Sequence, residues 1–246
     1  MFRGKSVALI IPALDEEEAL PPLLVRVDRR LVDRLVVADH GSRDRTAEVA
    51  RAAGAEVVRE ERRGYGSACL AALGLVTDTE LVVFMDGDGS DEPEEIERVL
   101  LPLIDTGADV VIGSRVLGGA EKGALTLPQG FGNALTCLLV RLFWRVVCTD
   151  LGPFRAVTRE ALARLHMADP DFGWTVEMQV KAAQMRLHMV EVPVSRRVRQ
   201  AGRSKVSGDL IASAKAGWRI LGYVFAAKLD ELLGREDARR RRVQPD

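Results

Sequence analysis

Residues 84–93, FMDGDGSDEP, place four acidic side chains within ten positions at the end of the apolar run LVVF. Like charges crowded at the end of a buried strand repel unless something positive sits between them. In an extended segment residues i and i+2 point the same way, so the carboxylates of Asp86 and Asp88 can converge on one point. Gly87 and Gly89 let the backbone turn and let a ligand come close. A hard divalent cation, Mg²⁺ or Mn²⁺, would relieve the repulsion, keep part of its water and bridge phosphate oxygens. Two other readings compete. Asp86, Asp88, Ser90 and Glu97 fall at the first, third, fifth and twelfth positions of an EF-hand loop. The sixth position, however, is Asp91 rather than Gly, Pro93 lies inside, and a strand precedes, which argues against calcium. Helix capping accounts for Asp91, Glu92, Glu94 and Glu95 at the start of SDEPEE, but not for Asp86 and Asp88, which come earlier.

Other groups could join this site. Asp39 ends the run VVAD and could accept hydrogen bonds from a base or a ribose, or cap the helix that follows. The segment SRRVRQAGRSKVSG carries Arg196, Arg197, Arg199, Arg203 and Lys205 within ten residues, with Gly and Ser between them. That composition suits phosphate recognition, and equally a solvated basic loop. Glu177, amid Trp174, Val176, Met178 and Val180, needs a partner if its helix face is buried: an arginine or a substrate hydroxyl. GYGSAC (64–69) is a weak match to a dinucleotide fingerprint, lacking the third glycine.

The elements that position these residues alternate. SVALIIPA, DRLVVAD, AEVVRE, ELVVFMD and ADVVIGSR read as strands. Helical patterns fall between them: EEEALPPLLVRVDRR; SRDRTAEVARAAG, capped by Ser42 or Asp44 and closed by Gly54; GSACLAALGLV; and EPEEIERVLLPLI. This βαβαβ rhythm over about 115 residues predicts a parallel, doubly wound α/β sheet whose strands are covered on both faces. In such sheets ligands bind at the carboxyl ends of the strands, where Asp39 and Asp86 stand. Beyond Arg115 the spacing predicts a long loop over 116–130 and a helix FGNALTCLLVRLFWRVV. A further helix starts from about 158, GWTVEMQVKAAQM forms another, and LHMVEVPV reads as a strand. A long final helix, DLIASAKAGWRILGYVFAAKLDELL, precedes a charged tail.

The chain has 246 residues, 47% hydrophobic and 29% charged, an ordinary globular mix, with a net charge of -1 that offers no basic field for nucleic acid. Cys69, Cys137 and Cys148 lie in apolar stretches and read as reduced core thiols rather than as a disulfide framework or a zinc site. The N-terminal MFRGKSVALIIPAL has too short an apolar part for a signal peptide and reads as a first core strand. No run approaches the ~20 apolar residues of a spanning helix.

Together these segments resemble a family-2 glycosyltransferase of the GT-A fold, and in particular the branch of dolichol-phosphate and polyprenyl-phosphate mannose and glucose synthases. The resemblance rests on IPALDEEEAL, VVADHGSRDRT, MDGDGSDEPEEI, DVVIGSR and RQAGRSKVSG, with LGPFRAV and GWTVEMQVKA behind them, over about residues 6–220. It implies a three-layer α/β/α fold with a mostly parallel, Rossmann-like sheet. One domain would span 1–230, with a nucleotide-sugar half at 1–115, an acceptor half at 116–230 and a charged tail at 231–246. By resemblance Pro12, Ala13, Leu14, Glu16, Asp39, Gly66, Gly87 and Arg115 would bind the nucleotide sugar. Asp86 and Asp88 would flank the sugar and the metal-bound diphosphate. Arg199, Arg203, Ser204 and Lys205 would hold acceptor phosphate, and Arg115, Arg199 and Lys205 would act in catalysis with Asp88. The implied reaction is inverting transfer of a hexose from GDP-mannose or UDP-glucose to a lipid phosphate, with Glu177 as the base if the acceptor is a hydroxyl instead. Departures from the family pattern are Asp15 for Asn, His40 for the second Asp, Ser90 where some mannose synthases carry Gln, and no Arg before the Gly-Asn pair of LPQGFGNAL. The final helix (Trp218, Ile220, Leu221, Tyr223, Val224, Phe225) and Arg239 to Arg242 could rest on anionic lipid, or the helix could pack on the domain. The expected location is cytoplasmic, either free or peripheral on the cytoplasmic membrane face.

Overall fold

The computed structural model describes residues 1–199 and 210–234, the stretch 210–216 by its backbone alone. The first half follows the predicted rhythm. Strands β1 (Val7–Ala13), β2 (Arg34–Asp39), β3 (Glu56–Arg59) and β4 (Leu81–Phe84) are parallel, and helices α1 (Leu20–Val25), α2 (Thr46–Ala52) and α3 (Tyr65–Leu75) connect them. A 3₁₀ turn at Pro93–Glu95 leads into α4 (Ile96–Asp105), which returns to β5 (Val110–Ser114). Then come α5 (Arg115–Gly118), α6 (Leu127–Trp144), β6 (Arg155–Thr158), α7 (Arg159–Leu165), α8 (Trp174–Gln184), β7 (Met189–Pro193) and α9 (Leu210–Leu232). Among the described residues the sheet has seven strands in the order β3-β2-β1-β4-β6-β5-β7.

The strands are apolar throughout because both sheet faces are covered, and their two-residue period sorts the side chains. Val7, Leu9 and Ile11 of β1 join Leu35, Val37 and Val83 under α1 and α4. Ala8 and Ile10 join Val36, Val82 and Phe84 under α3, α7 and α8, where Trp174 stacks edge-on against Phe84 at 5.9 Å. A smaller apolar cluster of Val140, Val176, Val180 and Val224 joins α6, α8 and α9.

Four expectations are corrected. The helix expected over EEEALPPLLVRVDRR, whose proline pair allowed either a first-turn position or a late start, starts late and is confined to α1, because the acidic stretch before the prolines is tied to the loop and helix after β2. There Asp15 N–H donates to Ser42 Oγ (2.9 Å), Glu16 N–H to Thr46 Oγ1 (2.8 Å) and Glu17 N–H to Asp44 (3.1 Å). The N-cap position of α2 is Arg45 rather than Ser42 or Asp44, although Asp44 Oδ1 accepts from the first helical N–H, that of Thr46, at 2.9 Å. The loop expected over 116–130 is broken by α5 and ends early, since Thr126 and Gln129 form a reciprocal capping box that starts α6 at Leu127. Finally, β6 was not expected as a strand, and it runs antiparallel to both of its neighbours, β4 and β5.

The cysteines are free. Cys137 and Cys148 nevertheless meet across the α6 turn, where a hydrogen bond from Cys137 pulls the Cys148 thiol down.

Candidate active site

A cavity of about 630 Å³ opens along the carboxyl ends of β1, β2, β4 and β5. The parallel strands bring their loops to this edge, and the lead-in to antiparallel β6 arrives there too. From β1 the wall takes Pro12, Leu14 and Glu16, from β2 His40, and from the start of α3 Gly64 and Tyr65. The β4 rim contributes Asp86, Gly87, Asp88 and Ser90, and the end of β5 Arg115. Gln129 of α6, Leu151 and Pro153 before β6, and Arg196 to Arg199 after β7 close the other side.

Gly87 lets the rim sit against β1: a Cβ there would lie 3.1 Å from Ile11 Cγ2 and 3.2 Å from the Pro12 carbonyl oxygen. Asp88 is oriented by Ser90, whose N–H (3.1 Å) and hydroxyl both donate to Oδ1. Asp91 is fully buried and accepts from the Asp86 N–H at 3.0 Å. Arg196 then spans the acids, with Nη1 donating to Asp91 (2.6 Å) and Nη2 to Asp86 (3.1 Å). Arg199 pairs with Glu16 and lies 3.6 Å from Asp88. Burial pushes the Asp86 carboxyl up to about 7, with Arg196 opposing and Asp91 and Asp88 adding to the rise.

Among the described residues no group of three or more His, Cys, Asp or Glu side chains is assembled to hold a metal ion. What the rim offers is two hard carboxylates. That set fits Mg²⁺ or Mn²⁺ when phosphate oxygens and water complete the shell.

Arg115 is fixed by Asp150, which is fully buried. Asp150 accepts from the Arg115 backbone N–H (2.8 Å), Nε (2.8 Å) and Nη2 (2.6 Å), a two-pronged pair that aims the guanidinium at the cavity wall. The segment carrying Asp150 is itself held on three sides. Thr149 and Asp150 donate to Glu191, Asn133 of α6 bonds both Thr149 and Leu151, and Gln179 donates to the Asp150 carbonyl. Arg155, also buried, donates to the carbonyls of Gly152 and Thr175 and to Gln179, and burial lowers it to about 10.

Of the residues singled out in the sequence, Pro12, Leu14, Glu16, Asp86, Gly87, Asp88, Arg115 and Arg199 meet at this cavity. Ala13, Asp39 and Gly66 stand behind its wall. Asp39 is buried and accepts from the Ser42 N–H at 2.8 Å, holding the turn after β2. Gly66 allows a close approach, since a Cβ there would fall 1.9 Å from the Asp169 carbonyl oxygen. Glu177 is corrected. It is buried and faces neither an arginine nor the cavity: its carboxylate accepts from the N–H groups of Ala168 (3.0 Å) and Asp169 (2.7 Å) and pairs with Lys181 (2.7 Å). Arg203, Ser204 and Lys205, and the tail from 235, lie outside the described residues.

His40, Tyr65, Gln129, Asp150 and Arg196 were not singled out as site residues. Arg196 lay in the noted basic run, and Asp150 directly before LGPFRAV. His40 was noted as the residue in place of the family's second Asp, Tyr65 lies in GYGSAC, and nothing local marks Gln129.

No helix of the described residues is long and apolar enough to cross a membrane. Yet α6 exposes Leu127 (91%), Phe131 (71%), Leu138 and Leu142 at helical spacing, and α9 exposes Trp218 (82%), Phe225, Leu229 and Leu232.

The family description "Glycosyl transferase family 2" matches residues 8–165. An uncharacterised glycosyltransferase of Mycobacterium tuberculosis is 36% identical, the match covering 89% of this chain and 99% of that one. A polyprenol monophosphomannose synthase of Mycolicibacterium smegmatis is 32% identical over 89% of each chain. The fold matches that of glucosyl-3-phosphoglycerate synthase from Mycobacterium tuberculosis, crystallised with Mn²⁺, UDP and glucosyl-3-phosphoglycerate. The TM-score is 0.73 at 24% identity, covering 92% of this chain and 80% of that one.

Proposed function

This chain belongs to glycosyl transferase family 2, and we propose that it moves a hexose from GDP-mannose or UDP-glucose to a polyprenyl phosphate, inverting the anomeric carbon. The observation that carries this reading is the meeting, in one cavity, of the Asp86–Asp88 rim with Arg115 and Arg199. Pro12, Leu14, Glu16 and Gly87 form the nucleotide side. Arg115, pre-aimed by Asp150, neutralises charge on the departing diphosphate. A Mg²⁺ or Mn²⁺ ion held at the rim would add Lewis-acid stabilisation of that leaving group. Arg199, with Arg203, Ser204 and Lys205 following in sequence, orients the acceptor phosphate.

A lipid phosphate is already an anion near neutral pH, so its attack needs no strong base. The engagement of Glu177 by backbone N–H groups and Lys181 supports that acceptor over a hydroxyl. The name of the Mycolicibacterium relative supports the same class. The exposed apolar faces of α6 and α9 support contact with a membrane surface, where such an acceptor resides.

The test is transfer from radiolabelled GDP-mannose and UDP-glucose to a polyprenyl phosphate with Mn²⁺ or Mg²⁺, for the wild type and Asp88→Ala. Metal-dependent, inverting formation of lipid-linked sugar, abolished in the variant, is expected. Donor that binds yet stays whole in every acceptor and metal combination would refute an enzyme and leave a nucleotide-sugar binder.

A further inference from the structure

Arg196 is the most buried of the three described arginines of its segment, Arg196, Arg197 and Arg199. Its side chain is only 11% exposed. Its backbone is fixed on both sides: the carbonyl accepts from the Glu121 N–H (2.8 Å), and the next N–H, that of Arg197, donates to the Ser90 carbonyl (2.8 Å). Isolated bridges pair it with Asp91 and Ala120. Its two terminal nitrogens reach Asp91 at 2.6 Å and Asp86 at 3.1 Å. A guanidinium clamped at both ends in this way is poorly placed to follow a substrate phosphate.

We propose that Arg196 is a positioning residue, a resident counter-ion that satisfies Asp86 and Asp91 and leaves Asp88 as the carboxylate presented to the divalent cation. The inference rests on the transferase reading of the cavity and refines its metal site. The charges around the rim agree with it. Once all four are ionised, Glu16, Asp86, Asp88 and Asp91 are four carboxylates facing the two guanidiniums of Arg196 and Arg199, an excess of two negative charges within this ion-pair cluster. One divalent ion cancels that excess. Without Arg196 the excess is three, Asp91 is a buried carboxylate without its cation, and Asp86 is released as a second metal ligand.

The counter-ion role therefore predicts a gain that a phosphate-binding role does not. Melting temperatures of the full chain, wild type and Arg196→Met, are compared in EDTA and in Mn²⁺ alone, with no nucleotide. Arg196→Met should melt lower in EDTA and recover in Mn²⁺, its metal-induced rise being at least about twice that of wild type, because the ion binds the native state and restores the missing charge. Mn²⁺ titrated by electron paramagnetic resonance should bind the variant more tightly. Asp91→Asn/Arg196→Met, which removes one carboxylate together with the guanidinium, should bring the rise back toward the wild-type value. It also serves as the reference if the single variant is too unstable, as does Arg196→Lys, whose point charge cannot span both acids. An equal or smaller Mn²⁺ response in Arg196→Met overturns the proposal. So does an unchanged metal response accompanied by a loss of UDP or GDP affinity, which would make Arg196 a phosphate ligand. A wild-type protein that binds no nucleotide sugar would count against the transferase reading instead, and the metal-only comparison reads independently of it.

Discussion

Replacing Glu177 with Gln separates a structural carboxylate from a catalytic one. The carboxylate is 3% exposed and holds the N–H groups of Ala168 and Asp169 and the ammonium of Lys181. A glutamine fits the space but keeps one acceptor oxygen, and its NH₂ then confronts a backbone N–H or the ammonium. One charge-assisted hydrogen bond is lost, at about 1.5–3 kcal/mol, together with a helical i,i+4 pair at about 0.3–0.5 kcal/mol. The expected loss is about 2–3 kcal/mol, a fall in melting temperature of about 4–12 °C for a chain of this size. The 168–170 turn lies on the start of α3, where the Pro170 carbonyl accepts from the Ser67 N–H at 2.8 Å and Tyr65 faces the cavity. Some rise in donor KM is therefore expected, with kcat changed less than about threefold. Urea denaturation and steady-state transfer, both well below the melting transition, read these quantities. Loss of a general base costs about 10²–10⁴ in rate. A folded Glu177→Gln protein with stability intact and kcat down a hundredfold would refute the assignment and restore a hydroxyl acceptor.

Two further outcomes follow from the same site. Asp150→Asn leaves the buried end of the Arg115 pair with a donor facing a donor and should lower unfolding free energy by about 3 kcal/mol, with coupling above about 1 kcal/mol in a cycle with Arg115→Met. A cost below about 1 kcal/mol in urea titrations would mean that Arg115 has another anchor. Asp86 holds its proton to about 7 in the folded state, well above its unfolded value, so its contribution to stability is full below about pH 4 and is lost as pH rises through about 7. In metal-free buffer the stability of wild type relative to Asp86→Asn should fall by up to about 1.4 kcal/mol per pH unit across that window. A flat difference from pH 4 to 8 would contradict the burial argument.

The acidic rim was legible because its signal is local. Two aspartates two apart at the end of an apolar strand must share a face, and a parallel sheet dictates which edge they reach. Arg115 was legible in the same way, as the residue after β5. Asp150 was not, because its partner lies 35 positions away and enters from a strand of opposite direction. Glu177 was expected to be buried and is, but helical periodicity shows only that a side chain is buried, not what it is buried against. There the partners are main-chain N–H groups, which every sequence carries invisibly. The start of α6 was readable in Thr126 and Gln129, but the flanking glycines suggested a loop. Arg196 was one cation among five, and what distinguishes it from Arg197 and Arg199, its burial against Asp86 and Asp91 and the bridge that pins its backbone to Asp91, comes from chain far away in sequence.

The reversed direction of β6 has a consequence for how such an enzyme changes its substrate. At β1, β2, β4 and β5 the lining residues Leu14, His40, Asp88 and Arg115 come after their strands, on the connections that lead to the following helices or, for Arg115, at the start of one. Residues 146–154 instead arrive before their strand, anchored behind by Asn133, Gln179 and Glu191. Extra residues inserted ahead of that anchor would remodel the cavity wall at Leu151 and Pro153 without lengthening any loop that follows β1, β2 or β4.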